Sequence, residues 1–147
     1  MSAYRRASKP IPYMRKGGPD EPKRPWIELF IASRGGSILS RYWGLVDSGS
    51  DYSVIPRDLA RRIGVDYDES KPKTCGAAGR QSFTYFDQTN QLTIQTEVGG
   101  LNFDEAMVAD EDDFILGRYD FFRRYKVTIN ERDETVLAEP FDAPRDN

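Results

Sequence analysis

Apolar and polar positions alternate with a period of two over most of this chain, the pattern of half-buried β-strands. Residues 26–32, "WIELFIA", are rich in β-forming side chains and run into the turn signal "SRGGS". "ILSRYWGLVD" follows as a second strand, so the two predict a hairpin, and "YSVI" reads as a short third strand. "SKPKT" and "SFTYF" form extended arms around the glycine-flanked tip "CGAAGR". "QLTIQTEV" puts Leu92, Ile94, Thr96 and Val98 on one face, and "LNFDEAMV" does the same with Leu101, Phe103, Glu105 and Met107. "FIL" is a short apolar run that stops at Gly117, and "KVTINERDETVLAEP" predicts a hairpin around "NERD".

Two stretches break this period. In "PRDLARRIG", proline suits a first-turn position, Leu59 and Ile63 lie one turn apart, and Gly64 can cap the end. "YDFFRRY" predicts one or two helical turns. No fixed-period repeat is present. The class is therefore all-β with one or two short helices, and barrel-like closure is expected because many short strands must hide their edges.

At 147 residues, 38% hydrophobic and 31% charged, the chain is a soluble globular sequence long enough for one domain. No apolar run approaches the roughly 18 residues of a membrane span, so no membrane partner is expected. The N-terminal stretch has arginines but no apolar segment, and does not read as a secretory signal. The single cysteine, Cys75, cannot close an internal disulfide, which fits a cytoplasmic setting. With no histidine in the chain, imidazole-based nucleophiles and the usual zinc sites are excluded. Asp, Glu, Tyr, Lys, Ser or Cys75 must then carry any chemistry.

Charge divides the chain further. Residues 1–24 hold seven Lys/Arg and two Asp/Glu, a net of +5, which leaves −8 on the remainder of a −3 chain. Five of the nine prolines fall in the first 25 residues, so 1–24 is expected as a disordered basic arm. Residues 25–141 form the domain and 142–147 a polar tail. The arm lacks the aromatic–basic interleaving of a nucleic-acid binder, and no such partner is expected. The acidic loop at 110–113 reads as solvated, with attraction of the chain's own basic arm as the alternative.

One carboxylate stands apart. Asp47 ends the apolar strand residues Leu45 and Val46, and Ser48, Gly49 and Ser50 follow at once. Asp-Ser-Gly alone is equally a turn whose carboxylate bonds its own backbone.

The wider pattern adds more. "GLVDSGSDYSVI" resembles the active-site signature of aspartic proteases. "FILGR", holding Ile115, Leu116, Gly117 and Arg118, resembles that family's second signature, and "CGAAGR" stands where the family carries its flap. The three occur in family order, and the chain holds one such Asp motif, so it resembles the single-domain, homodimeric retropepsin-like branch. That resemblance implies a single-lobe closed barrel with a flap hairpin, no cofactor, no metal, a second copy of the chain as partner and a polypeptide substrate.

Residue roles follow from the resemblance alone. Asp47 would pair with its symmetry mate as a catalytic dyad. Ser48 would bond across the dimer, Gly49 would let the carboxylates lie nearly coplanar, and Ser50 would donate to Asp47 and favour an acidic optimum. Asp51, with Gly76, Ala77, Ala78 and Gly79 of the flap, would contact substrate. A partly buried Asp51–Arg118 pair would hold the cleft floor.

The chain departs from the family at two points. Two residues separate Gly117 from Asp120 where many members have one fewer, and no clear equivalent of the terminal strands that lock retroviral dimers is visible. A catalytically silent dimerisation or peptide-binding module of this fold is the main alternative. An unrelated β-barrel binding protein with Asp47 as a turn residue is a third reading.

Overall fold

The computed structural model describes residues 8–33, 36, 41–76 and 82–141. They form twelve strands and two short helical segments, the all-β fold expected. Strands β1 (Ile11–Pro12), β2 (Trp26–Phe30), β3 (Tyr42–Val46) and β4 (Val54–Pro56) precede helix α1 (Arg57–Ile63). Then come β5 (Lys73–Cys75), β6 (Phe83–Asp87), β7 (Leu92–Thr96), β8 (Gly99–Phe103), β9 (Met107–Ala109) and β10 (Phe114–Leu116). A π-helical turn, Arg118–Phe122, leads to the terminal hairpin β11 (Tyr125–Asn130) and β12 (Thr135–Pro140).

A nine-stranded sheet runs β5-β6-β9-β4-β10-β3-β2-β7-β8. The two helical segments appear where the period breaks. Helix α1 buries Leu59, Ala60 and Ile63, and Gly64 closes it at φ 86° with its N–H donating to Ala60 O. Leu116 and Phe114 from β10 and Phe103 and Leu101 from β8 share one continuous core with Ile27, Leu29 and Phe121. Full burial of each such side chain is worth about 1.5–3 kcal/mol.

Two expectations change. "LNFDEAMV" does not run as one strand: β8 ends at Phe103, β9 starts at Met107, and Glu105 is exposed. The reason is topological, because β8 pairs with β7 at one end of the sheet while β9 lies between β6 and β4 near the other. Buried Gln88 fills the break. Its Nε2 donates to Phe103 O (2.9 Å) and its Oε1 accepts from the Ala106 N–H (3.1 Å).

The second change concerns the arm. Residues 11–24, expected to be disordered, lie against the domain. Ile11 and Pro12 pair with Val136 and Thr135, forming the three-stranded sheet β1-β12-β11, and Met14 bridges Arg24. Tyr13 is buried, and its hydroxyl donates to Glu131 Oε1 at 2.8 Å. Burial, and then Glu131, push that hydroxyl's pKa up to about 12. Apolar positions Ile11 and Tyr13 outweigh the polar composition around them. The tail, 142–147, lies outside the described residues.

No helix among the described residues is long and apolar enough to cross a membrane.

If Tyr13 is a packing anchor, Tyr13→Phe should cost about 1 kcal/mol for the lost hydrogen bond. Tyr13→Ala should cost about 3 kcal/mol. Urea unfolding of the three proteins checks this, and equal midpoints would show that the arm contributes nothing to the core.

Candidate active site

The site is built where the sheet order departs from the chain order. β10 inserts between β3 and β4, parallel to β3 through Phe114–Gly44, Ile115–Leu45 and Leu116–Val46, and antiparallel to β4 through Ile115–Val54. The chain from β3 to β4 must therefore loop over the end of β10, and residues 47–53 are that loop. Its backbone is tied to β10 and the residues after it. Asp47 N–H donates to Leu116 O (3.1 Å), Arg118 N–H to Ser50 O (2.8 Å) and Tyr119 N–H to Asp51 O (2.8 Å).

Gly117 sits at the crossing. A Cβ there would lie 2.4 Å from Tyr52 C and 2.8 Å from Ser53 N, so only glycine lets the two backbones meet. Its N–H donates to the buried Ser53 Oγ at 3.0 Å. The turn after Gly117 is wide: Arg123 N–H reaches back to Arg118 O, five residues away.

Asp47 is half-buried and lines a cleft of about 610 Å³. Gly49 N–H donates to Asp47 Oδ1 at 2.9 Å, and Ser50 N–H to Asp47 O at 3.2 Å. Gly49 does not use a left-handed conformation. Its bare Cα serves a close approach, since a Cβ would stand 3.2 Å from Asp47 Oδ1. The apolar floor is the packed group Val54, Met107 and Ala109 with Phe83, Tyr85 and Ile115 against it. Gly76 and Cys75, at the end of β5, form one wall.

The cleft thus gathers Asp47, Gly49, Ser50, Asp51, Gly76 and Ile115 from the residues singled out in the sequence. Leu116 and Gly117 lie buried beneath it, and Ser48 is exposed on the loop. The flap-tip residues Ala77, Ala78 and Gly79 lie outside the described residues. The arms below the tip do pair, with Cys75 opposite Phe83.

Two side chains differ from expectation. Ser50 Oγ donates to Tyr52 O at 2.6 Å, closing its own turn instead of reaching the Asp47 carboxylate. The acidic optimum expected from a Ser50–Asp47 bond has no support from this side chain. Asp51 and Arg118 do meet, Oδ1 to Nη1 at 3.5 Å, but their side chains are 78% and 65% exposed in the single chain. An exposed pair at that distance contributes little. Arg118 stands beside an aromatic surface in which Tyr52 and Tyr119 have ring centroids 5.7 Å apart and Arg123 lies over Tyr119.

The sequence reading missed Glu111 and Asp113 as cleft residues, having placed them in a solvated loop. The signal was their position between β9 and β10, both of which flank the site. Lys16 of the basic arm meets Asp113 Oδ1 at 2.8 Å, so the arm does reach the acidic loop. Cys75 is half-buried in the cleft wall.

Asp120 supports the loop from below. It is 7% exposed, its carboxyl lies within hydrogen-bonding reach of Ser53, and its Oδ2 has no partner among the described residues. Burial raises its pKa above the ordinary carboxylate value, Ser53 opposes this, and Asp104 and Glu105 add to it.

Among the described residues, no group of three or more Cys, Asp or Glu side chains is arranged to hold a metal ion. A family model described as "Aspartyl protease" matches residues 34–119. No curated protein matches the chain.

Two outcomes follow from the crossing and its buried acid. Gly117→Ala should destabilise the protein by about 1–3 kcal/mol or more, because backbone on both sides must move; an unchanged urea midpoint would contradict the close approach. Asp120 has a raised pKa in the folded state, so its contribution to stability is complete below the unfolded carboxylate value and is lost as pH rises through the folded one. The Tm of Asp120→Asn minus that of the parent should therefore grow more positive between about pH 4 and pH 7. A difference independent of pH would show that the site does not raise the Asp120 pKa.

Proposed function

The chain belongs to the aspartyl protease family, retropepsin-like in type, and from that premise we propose that it is an aspartic endopeptidase assembled as a homodimer. The supporting observation is the placement of Asp47: a half-buried carboxylate lining a cleft, on a loop tied by its backbone to Leu116, Arg118 and Tyr119. One Asp per chain is half of what amide hydrolysis needs. Without imidazole, one group must take a proton from water and another must give one to the leaving nitrogen.

Two Asp47 carboxylates meeting on a two-fold axis supply both roles. Side by side they cannot both ionise easily, so they hold one proton between them and titrate as a pair. The ionised member takes the proton of a bound water as its oxygen attacks the scissile carbonyl carbon. The protonated member delivers its proton toward the amide nitrogen as the C–N bond breaks. The Gly49 N–H fixes Asp47 Oδ1, which leaves Oδ2 with no partner among the described residues and able to face the water and the second carboxylate.

Ser48 and Asp51, exposed in the single chain, lie on the loop that a second copy would cover. In this reading the Asp51–Arg118 pair is screened until the dimer forms and becomes part of the buried frame afterwards. Extended substrate would lie in the cleft against Val54, Met107 and Ile115, with Phe83 and Tyr85 of the flap arm β6 lining it as well.

Peptide cleavage by the purified dimer tests this reading. Asp47→Asn should reduce turnover by about three orders of magnitude or more while leaving the fold and dimer intact. The parent should show a bell-shaped pH–rate profile. Turnover that survives the substitution would refute the mechanism. A demonstrated dimer that cleaves nothing would identify a peptide-binding module.

A further inference from the structure

The cleft around Asp47 is electrostatically one-sided. Four carboxylates line it, Asp47, Asp51, Glu111 and Asp113, of which Asp51 and Asp113 meet cations that stand outside the lining, Arg118 and Lys16. Among the described residues no lysine or arginine lines it. Its floor is apolar, with Phe83, Tyr85 and Met107 on the side of the flap arms. We infer that this cleft selects extended peptides carrying a lysine or arginine close to an apolar side chain, with Glu111 and Asp113 as the specificity-determining residues. The inference rests on the peptide-cleft reading above and adds the chemistry of what is taken.

The loop that carries these two acids is fastened at its ends, not along its length. Asp110 pairs with Arg57 at 3.4 Å, outside the cleft. Asp113 pairs with Lys16 at 2.8 Å. Glu111 between them has no cationic partner among the described residues and is exposed toward the cleft. The chain's own arm shows what this rim accepts. The ammonium of Lys16 sits on Asp113 while lying 4.8 Å from the centre of the Trp26 ring, a cation held between a carboxylate and an apolar surface. A basic peptide would present the same chemistry to Glu111 and would compete with Lys16 for Asp113.

A two-fold dimer repeats each carboxylate, so a continuous cleft would carry both sets. Low-dielectric walls focus that field on whatever enters. Acidic side chains are rejected by the same charges that attract basic ones, so discrimination has an attractive and a repulsive part. The apolar floor takes the neighbouring side chain, and burial there supplies affinity that the exposed rim charges cannot.

Matched extended peptides with one apolar centre, flanked by Lys, Gln or Glu, distinguish this inference from the protease reading. Turnover is measured with the parent protein, and binding is measured with Asp47→Asn by fluorescence anisotropy. The Lys peptide should be favoured over the Gln peptide by about three- to tenfold and over the Glu peptide by more, and the preference should shrink as ionic strength rises from about 0.05 M to about 0.5 M. Glu111→Lys should abolish or reverse the preference. Lys16→Ala should strengthen Lys-peptide binding severalfold by releasing Asp113, and thermal unfolding confirms that each variant is folded.

Preferential binding without turnover would uphold the inference and overturn the protease reading. Turnover or binding indifferent to peptide charge, or unmoved by Glu111→Lys, would overturn the inference and leave the protease reading standing. Failure of a folded dimer to bind any of the peptides at about 1 mM would overturn both.

Discussion

The structure depends on one crossing, where Gly117 presses against the backbone of Tyr52 and Ser53. Because β10 lies between β3 and β4, the strands that precede and follow the 47–53 loop are never neighbours. The loop has no strand partner of its own, and an unpaired buried backbone would be costly. It is satisfied instead by the end of β10 and the turn after it: Leu116 O, the Arg118 and Tyr119 N–H groups and the Gly117 N–H on Ser53 Oγ. Asp47 is therefore aimed by main-chain bonds from a segment distant in sequence. Its geometry exists only once the whole sheet has formed.

The same crossing sets the electrostatics. Asp120, on the π-helical turn directly after Gly117, is carried inward until its carboxyl reaches Ser53, and burial raises its pKa. β10 also fixes where the 110–113 loop can lie, since that loop must connect β9 to β10 on the side of the cleft. Acids that would be solvated on an open loop become cleft residues, and Lys16 and Arg57 fasten the loop's two ends. In the single chain the Asp51–Arg118 pair is too exposed to hold the floor, so the backbone ties do that work.

Much of this was legible in the sequence. Period two marked the strands, Pro56 and Gly64 bounded α1, and "YDFFRRY" fell on the helical turn after Gly117. Asp47, Gly49, Ser50, Asp51, Gly76 and Ile115, separated in the sequence, line one cleft. What stayed hidden was non-local. Alternation continued through Phe103, Glu105 and Met107, but it carries no record that the strand must change partners, and Gln88 fills that break from a distant loop. Composition marked residues 1–24 as an arm, yet Ile11 and Pro12 pair with β12, Tyr13 is buried in the core and Lys16 meets Asp113. Ser50 turned toward Tyr52 O because that acceptor lies two residues away in its own turn, a choice that motif matching does not register.

The central claim is that one Asp47 is half a catalytic centre and a second chain completes it. Subunit mixing tests this most directly. Inactive Asp47→Asn chains are equilibrated with a fixed amount of parent protein, and peptide cleavage per parent chain is followed as the ratio rises. Random exchange in a shared-site dimer predicts a fall to about half at an equal ratio and to about a tenth at ninefold excess. Cleavage per parent chain that does not change at any ratio would mean that each chain acts alone, and would contradict the account.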